Sequence, residues 1–259
     1  MKRALVLIFC LLILSETAFA FTPVTVPTAE KLAGGRPLQL SAWLTKPESA
    51  GLFPAVVMLH GCGGLSQSYR QWIDRLTKWG YVVLAVDSFT ARGTKRICDS
   101  SSQLSSYATL RVQDAYDGKK FLANLPHVDA KRIALMGWSH GGGVLLNALV
   151  RKNDDAFQAA IAFYPWCSFV LDGLNAPLLI LVGEKDDWTP AARCRQSMVT
   201  STKPEVLLHV YPGAFHAFDL EGVDRSTRGS TGLHRVLHNP AAASDAIDRV
   251  REFLRTQLR

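Results

Sequence analysis

Short apolar runs alternate along the chain with longer stretches in which apolar residues recur at helical spacing. The runs predict six buried strands, at 54–59, 81–86, 133–136, 159–163, 178–182 and 206–210. The helical spacing predicts helices at 69–79, 108–125, 142–150 and 244–258. The polar segment 93–105 is predicted to be a loop. Continuous apolar strands that alternate with helices are typical of a mostly parallel sheet covered by helices on both faces, which is an α/β fold.

The first twenty residues have the pattern of a secretory signal peptide. Two basic residues precede the apolar run 4–14, and the segment ends in Ala-Phe-Ala at 18–20. The run is too short to span a membrane, and small residues at its end suit a signal peptidase. We therefore expect cleavage after Ala20, with a retained anchor as the alternative. The expected product is secreted or periplasmic, has no stable membrane anchor, and forms one α/β domain over residues 21–259.

The positive charge of the chain is spread along the sequence. The 259 residues carry a formal net charge of +7. Proteins that bind nucleic acid concentrate their basic residues on one footprint, whereas here these residues are scattered. The composition therefore predicts a solvated surface and no nucleic-acid partner.

A serine flanked by glycines follows the strand predicted at 133–136. The segment "MGWSHGGG" places Ser139 between Gly137 and Gly141. A sharp strand-to-helix turn raises such a serine out of the sheet, and the glycines relieve the crowding that the turn creates. A glycine-rich turn with an incidental serine is the alternative for so short a motif. In its context Ser139 is the candidate nucleophile, and the backbone N–H of His140 is a candidate donor to an oxyanion.

Acidic residues and a histidine follow two later strands, in the order that a catalytic triad on this scaffold requires. The carboxyl ends of parallel strands meet at one edge of a sheet, so these residues should gather near Ser139. His216 is the predicted general base. Asp186 follows its strand directly, and we favour it as the acid over Asp187, which suits a turn or a helix cap before Pro190.

The other six histidines are poorer candidates for a base. His209 lies within a strand, and His60 precedes the candidate elbow. His140 is held in the turn and should point away from Ser139. The remaining three lie in polar segments and are expected at the surface: His127, His234 and His238.

The glycine-rich loop His60-Gly-Cys-Gly-Gly64 follows the first predicted core strand. Glycines let backbone N–H groups approach a developing oxyanion, and the loop after this strand supplies the second donor in such enzymes. We assign that donor to the backbone N–H of Cys62. A tight turn after a buried strand is the alternative.

With these residues in order, the chain resembles the dienelactone hydrolase family of the α/β-hydrolase fold. The similarity runs from about Pro54 to Leu254, and the matching segments are the His-Gly-x-Gly-Gly loop, "GYVVLAVDSF", "MGWSHGGG", "GEKDDWTP", "YPGAFHAF" and "NPAAASDAIDRVREFL". The resemblance implies hydrolysis of a small-molecule ester or lactone by a nucleophile–His–Asp triad. It also implies that no metal ion and no cofactor take part.

Two positions depart from the pattern of this family. Members that open dienelactones carry a cysteine nucleophile where this chain has Ser139, and a glutamate where it has Gly61. Relatives with a signal peptide and a serine look more like general esterases. The departures therefore favour a general carboxylic ester hydrolase.

Arg92 is a candidate for substrate binding. The carboxylate-binding arginine of the family falls in the loop after the strand 81–86, and a one-residue shift aligns it with Arg92. An arginine fork at that place could hold an anionic group of a substrate. A structural salt bridge from Arg92 to Asp114, or a bond to the loop backbone, is the alternative.

Four cysteines remain after the predicted signal peptide: Cys62, Cys98, Cys167 and Cys194. An even number in an exported chain suits disulfides, and four cysteines allow three pairings. The first two follow neighbouring predicted strands, and so do the last two. Because neighbouring strand ends bring Cα atoms within bridging range, we predict Cys62–Cys98 and Cys167–Cys194. Four reduced thiols are the alternative.

Three other functions are alternatives to an ester hydrolase. A serine peptidase on the same scaffold would need a groove for an extended chain, and the sequence has no propeller or large cap domain to build one. A catalytically silent binding protein has no need of all three triad groups. A thiol-dependent redox protein is disfavoured because the chain has no Cys-x-x-Cys.

Overall fold

The computed structural model describes residues 21–151, 155–198 and 205–259. The predicted signal peptide at 1–20 lies outside these residues. The strands are β1 (Thr22–Lys31), β2 (Pro37–Thr45), β3 (Phe53–Leu59), β4 (Val82–Asp87), β5 (Val128–Trp138), β6 (Ala159–Phe163), β7 (Leu178–Gly183), β8 (Val206–Tyr211), β9 (Asp224–Gly229) and β10 (Gly232–Leu237). The α-helices are α1 (Arg70–Lys78), α2 (Ser101–Ala123), α3 (His140–Leu149), α4 (Ala191–Ser197) and α5 (Pro240–Gln257).

The first eight strands form one sheet in the order β1-β2-β4-β3-β5-β6-β7-β8. β1 and β2 are antiparallel to their neighbours, and every other pair in this sheet is parallel. The parallel arrangement brings the carboxyl ends of β3 to β8 to one edge, where ligands bind in sheets of this kind. This mostly parallel sheet with helices, and without a large cap in the described residues, confirms the predicted fold class.

The sheet separates two apolar cores. Successive side chains of a strand point to opposite faces, and β3 shows this directly. Val57 and Leu59 join the core that contains residues of α2 and α3, whereas Val56 and Met58 join the core that contains residues of α1 and α5. A strand buried on both faces reads as a continuous apolar run, which is why β3 was predictable.

Four strands were not predicted from the sequence, namely β1, β2, β9 and β10. β1 exposes most of its side chains and carries two prolines, which an edge strand tolerates because it has ladder positions that need no N–H donor. β9 has the sequence DRSTRG and buries only its last residue. Neither strand has a clear apolar face, so neither gave a periodic signal.

Helix α2 begins earlier than predicted, and the prediction of a loop is wrong for residues 101–105. The Ser100 side chain accepts a hydrogen bond from the N–H of Gln103 and thereby caps the helix. The first turns of α2 are mostly exposed to solvent. They therefore lack the apolar spacing by which the rest of the helix was recognised.

Two disulfides join segments that follow strands at the carboxyl edge of the sheet, and Cys194 lies within α4. Cys62 is bonded to Cys98, and Cys167 is bonded to Cys194, which are the two pairs that strand order predicted. The N–H of Ile97 also donates to the carbonyl oxygen of Cys62 at 3.0 Å. The loop after β3 is thus held to the loop after β4. In the part of the chain described, no helix has the length and apolarity to cross a membrane.

Candidate active site

Ser139 lies at a strained turn between β5 and α3. Its φ is +52°, a value that non-glycine residues adopt only where the surroundings enforce it. An added Cβ on Gly137 would lie 2.5 Å from the carbonyl oxygen of Gly141, and one on Gly141 would lie 2.3 Å from that of Leu59. Both positions therefore require glycine. The turn has the strand-to-helix geometry that the sequence predicted for a nucleophile elbow.

A continuous chain of hydrogen bonds links Ser139, His216 and Asp186. The Oγ of Ser139 lies 3.1 Å from Nε2 of His216, and Nδ1 of His216 lies 2.7 Å from Oδ2 of Asp186. His216 and Asp186 are each 3% exposed. With the ring proton on Nδ1, His216 donates to the carboxylate and accepts from the hydroxyl, which is the geometry of a serine nucleophile and its base.

The carboxylate of Asp186 is held by its own loop. Oδ1 accepts the N–H groups of Trp188 at 2.9 Å and Thr189 at 2.8 Å, and the Thr189 hydroxyl lies 2.9 Å from Oδ2. Burial raises the pKa of the Asp186 carboxyl, but His216 and these hydrogen bonds outweigh burial and hold the pKa below its usual range. Sequence reasoning missed Thr189, although the Asp-x-x-Thr spacing suits such a turn.

Asp187 lies in a different environment. Its side chain is 53% exposed, and its Oδ1 lies 3.4 Å from Nδ1 of His234. Of the two acids that the sequence offered, only Asp186 is hydrogen-bonded to His216.

The two candidate oxyanion donors are the backbone N–H groups of His140 and Cys62. His140 is the first residue of α3, so its N–H has no acceptor within the helix. The N–H of Cys62 makes no hydrogen bond within the described ranges. A Cβ added to Gly61 would lie 3.5 Å from Cβ of Ser139, so the loop that carries Cys62 runs directly against the nucleophile.

Beneath this loop lies a buried cluster of His140, His60 and Arg111. The ring of His140 points away from Ser139, as predicted, with Nε2 2.8 Å from the carbonyl oxygen of Leu104 and Nδ1 2.7 Å from Nη1 of Arg111. Nη2 of Arg111 donates to the carbonyl oxygen of His60 at 2.6 Å. Sequence reasoning missed Arg111, because a single arginine within a helical pattern gives no signal of burial.

A second buried polar group, Asp219, lies behind the triad. Its carboxylate accepts hydrogen bonds from the indole N–H groups of Trp72 at 2.7 Å and Trp138 at 2.8 Å, and from the hydroxyl of Tyr164 at 2.7 Å. Burial raises the pKa of the Asp219 carboxyl, although all three donors act to lower it. The Tyr164 ring packs 4.4 Å from the ring of His216. This cluster supports the base, and no sequence motif announced it.

The hairpin β9–β10 packs beside the triad. The N–H of Leu237 donates to the carbonyl oxygen of His216 at 3.0 Å. Trp188 lies between the rings of His216, at 5.0 Å, and His234, at 4.9 Å. The prediction that His234 lies at the surface is wrong, because it is 7% exposed and stacks on Trp188.

Arg92 has no N–H left for a substrate. Its Nε and Nη2 donate to Glu30, its Nη1 and Nη2 donate to Asp114, and Nη1 also donates to the carbonyl oxygen of Ser88, at 2.7–2.9 Å. The expectation that Arg92 binds an anionic substrate group is therefore corrected. The side chain, 7% exposed, forms the salt bridge to Asp114 that the sequence left as the alternative.

Potential metal ligands are not grouped in the part of the chain that the structure covers. No set of three or more histidine, cysteine, aspartate or glutamate side chains there could hold a metal ion. The acidic groups near Ser139 are instead bonded to protein donors, Asp186 to His216 and Asp219 to three aromatic side chains.

Comparison with known proteins gives the same fold and a family. A Synechocystis sp. protein named "Putative carboxymethylenebutenolidase" is 24% identical over 264 residues, which cover 92% of this chain and 97% of that protein. A Klebsiella pneumoniae crystal structure, "Putative Dienelactone Hydrolase", superposes with a TM-score of 0.72 at 21% identity, over 92% of this chain and 99% of that one. Porphyromonas gingivalis dipeptidyl peptidase 4 superposes with a TM-score of 0.63 at 21% identity, over 93% of this chain but 36% of the peptidase.

The family is established by a match that covers most of the sequence. The profile described as "Dienelactone hydrolase family" matches residues 40–258. This range contains Ser139, Asp186 and His216, together with the loop that carries Cys62. The chain therefore belongs to the dienelactone hydrolase family, and it is a serine hydrolase that acts on lactone or ester bonds.

Proposed function

We propose that the protein hydrolyses small carboxylic esters or lactones through an acyl-enzyme formed on Ser139. The observation that carries this proposal is the hydrogen-bonded chain from the Ser139 hydroxyl through His216 to Asp186. It lies at a strained elbow on the edge of the sheet where ligands bind. In this proposal the backbone N–H groups of Cys62 and His140 form the oxyanion hole.

In the acylation step, His216 carries the proton of Ser139 to the leaving group. His216 Nε2 takes the proton of Ser139 as its Oγ attacks the carbonyl carbon of the substrate. The carbonyl oxygen becomes an oxyanion, which accepts the N–H groups of Cys62 and His140. Asp186 holds the ring of His216 and stabilises the imidazolium. His216 then gives its proton to the leaving alkoxide, and the alcohol departs.

Deacylation repeats the sequence with water. His216 takes a proton from water as its oxygen attacks the acyl carbon on Ser139. The same two N–H groups stabilise the second oxyanion. The carbon–oxygen bond to Ser139 breaks, Oγ recovers its proton from His216, and the acid is released. For a lactone, the alcohol and the acid are two ends of one product.

The space beside Gly61 favours a general esterase within this family. Dienelactone-opening members carry a glutamate at this position. Here the N–H of Gly61 donates to the hydroxyl of Tyr69 at 2.8 Å, and a Cβ on Gly61 would lie 3.4 Å from that oxygen and 3.5 Å from Cβ of Ser139. These are ordinary van der Waals contacts, and the glycine at this position leaves no carboxylate beside Ser139. The site therefore supports attack by a serine without an adjacent glutamate.

The proposed enzyme is exported as residues 21–259 after cleavage behind Ala20. The two disulfides are compatible with an oxidising compartment. β1 begins at Thr22 and pairs with β2 from that residue onward, so the proposed cut precedes the first strand of the domain. Amino-terminal sequencing of the protein recovered from the periplasm or medium tests the cleavage site. A start far from Phe21, or retention in the membrane fraction, contradicts it.

The test of the activity is a substrate screen with matched serine variants. Purified protein is assayed with p-nitrophenyl esters of rising acyl length, with aliphatic lactones and with a peptide p-nitroanilide. We expect hydrolysis of short esters or lactones, loss of that activity in Ser139→Ala, and no change in Ser49→Ala, which alters an exposed serine before β3. Fluorophosphonate labelling should modify Ser139 alone. Undiminished hydrolysis by Ser139→Ala overturns the proposal, and preference for the anilide favours a peptidase.

A further inference from the structure

One buried cation contacts both segments that carry the candidate oxyanion donors. Arg111 lies in the middle of α2 and is 0% exposed. Its Nη2 donates to the carbonyl oxygen of His60, two residues before Cys62, and its Nη1 lies 2.7 Å from Nδ1 of His140. A single planar guanidinium therefore spans the loop after β3 and the first residue of α3.

Among the residues that the structure describes, no carboxylate is hydrogen-bonded to Arg111. Asp114, one turn further along α2, has both carboxylate oxygens bonded to Arg92. Nε of Arg111 has no hydrogen-bond partner within the described ranges, and the guanidinium stacks over the ring of Phe89 at 5.1 Å. Burial lowers the pKa of Arg111 to about 10, so the side chain is protonated at neutral pH. A buried positive charge is thus directed at the two backbone segments beside Ser139.

The ring of His140 transmits this contact rather than titrating. Its Nε2 lies 2.8 Å from the carbonyl oxygen of Leu104, which requires a proton on Nε2, so Nδ1 is an acceptor for Arg111. Burial, together with the charge of Arg111, lowers the pKa of His140 to about 3. His140 is therefore a neutral link between the guanidinium and the start of α3.

We propose that Arg111 is a positioning residue of the oxyanion hole, which fixes the donor segments of Cys62 and His140 relative to each other and places a positive charge behind the oxyanion. This inference rests on the proposed hydrolase function. The charge of Arg111 is present before the reaction, whereas the negative charge of the substrate oxygen develops only in the transition state. Preorganised charge of this kind lowers the barrier more than it strengthens substrate binding. Removal of Arg111 should therefore lower kcat and leave KM nearly unchanged.

The experiment compares Arg111→Met and Arg111→Lys with a matched control. Lys119→Met removes another buried cation of α2, whose ammonium is bonded to Asp155 and to the carbonyl oxygen of Ala156, away from Ser139. For a p-nitrophenyl ester we expect Arg111→Met to lower kcat by ~10–100-fold, less than the loss of a direct oxyanion donor. KM should change by less than about threefold. The Arg111→Lys variant keeps the positive charge but lacks the forked guanidinium, so its decrease in kcat should be intermediate. Lys119→Met should destabilise the fold and leave kcat unchanged.

A trifluoromethyl ketone supplies a readout that general destabilisation does not move. Ser139 adds to its carbonyl carbon, the Ser139 proton passes to His216, and the resulting alkoxide occupies the oxyanion hole. Its inhibition constant should rise in Arg111→Met by about the factor by which kcat/KM falls. The inhibition constant for Lys119→Met should match that of the wild type.

The outcomes separate this inference from the proposed function. If Arg111→Met folds and keeps kcat and the inhibition constant within about threefold of wild type, the positioning role is overturned while the hydrolase function stands. If Arg111→Met does not fold, the variant His140→Leu tests the positioning role, because it removes one of the two contacts that Arg111 makes with the donor segments. Here a kcat loss of several-fold at constant KM supports the role, and an unchanged kcat overturns it. If Ser139→Ala retains activity, the proposed function itself fails.

Discussion

Two histidines flank Ser139, and their comparison shows how position assigns a role. His216 is 3% exposed and His140 is partly buried. In each histidine, both ring nitrogens are hydrogen-bonded. His216 lies between the Ser139 hydroxyl and the carboxylate of Asp186. His140 lies between the carbonyl oxygen of Leu104 and the guanidinium of Arg111.

The two histidine rings differ in the charge of the side chain that each one contacts. The carboxylate of Asp186 orients the ring of His216 and can stabilise the imidazolium that a base forms when it accepts a proton. A guanidinium disfavours that form, and burial acts in the same direction, so the pKa of His140 falls to about 3. The same side chain can therefore be a base on one side of Ser139 and a neutral structural link on the other.

The largest expected effect concerns the proposed base and nucleophile. His216→Ala and Ser139→Ala should each lower kcat by ~10⁴-fold or more, because the two groups act as a unit. His140→Leu should lower kcat only several-fold, since its backbone N–H is retained. Steady-state kinetics with one p-nitrophenyl ester checks all three. Equal losses in His216→Ala and His140→Leu would remove the distinction between the two rings.

The carboxylate beside His216 gives the next largest effect. Asp186→Asn should lower kcat by ~10³–10⁴-fold, because an amide no longer holds the productive tautomer of His216. Asp187→Asn, at an exposed position, should change kcat by about twofold or less. The pair is measured in one assay with circular dichroism as a control for folding. The reverse pattern would transfer the acid role to Asp187.

The disulfides test the two sides of the site separately. Each should contribute about 2–4 kcal/mol to the free energy of unfolding, since the cysteines of each pair lie 36 and 27 residues apart. The double variant Cys62→Ala/Cys98→Ala should also lower kcat, because Cys62 carries a proposed oxyanion donor. The variant Cys167→Ala/Cys194→Ala should lose stability alone. Denaturant unfolding and kcat are measured for both, and equal kcat values would argue against a link between the first disulfide and the hole.

The smallest effect is the pH dependence of stability that comes from His140. Its folded-state pKa of about 3 lies below the ordinary value of 6.5, so between these values the unfolded chain binds a proton that the folded chain does not. Stability should therefore fall as the pH drops below 6.5, by up to about 1.4 kcal/mol per pH unit. His60 contributes in the same direction, because burial lowers its pKa as well.

The matched variant for this prediction is His140→Asn, which keeps an acceptor for Arg111 but cannot titrate. Denaturant unfolding at pH 7, 6 and 5 with the disulfides intact measures the slope. We expect a shallower decline in the variant than in the wild type. An identical slope in the two proteins would mean that His140 takes up its proton at the same pH in the folded and the unfolded chain.

Much of the candidate site could be read from the chain because each group follows a strand. Ser139 comes directly after β5, Asp186 and His216 lie in the short loops after β7 and β8, and parallel strands bring their carboxyl ends to one edge. The glycines around Ser139 marked the turn, and the order of the acid and the histidine matched the scaffold. Local pattern and topology were sufficient here because the loops are short and the strands before them are apolar runs that the sequence shows directly.

The supporting groups could not be read in this way. Arg111 lies between Leu110 and Val112 in a helix, Asp219 lies in the loop between β8 and β9, and His234 lies in a six-residue strand with only two buried positions. Their partners are distant in sequence, as in the contact of Arg111 with His60, 51 positions away. Arg92 shows the same limit of sequence reasoning, here through a role that was expected but is not supported. The position of its loop suggested substrate binding, but the guanidinium of Arg92 is hydrogen-bonded to the carboxylates of Glu30 and Asp114.

The sequence by itself determined the α/β class, the glycine-flanked turn at Ser139, the order of the candidate triad and the pairing of the cysteines. These features depend on period, on glycine geometry and on which strands follow one another. Only the tertiary structure decided three contacts. Asp186 rather than Asp187 is hydrogen-bonded to His216, Arg92 forms ion pairs with Glu30 and Asp114, and Arg111 contacts both His60 and His140. The reason is that the direction of a side chain and the charge of its neighbour are set by packing between segments far apart in the chain, and no local pattern encodes them.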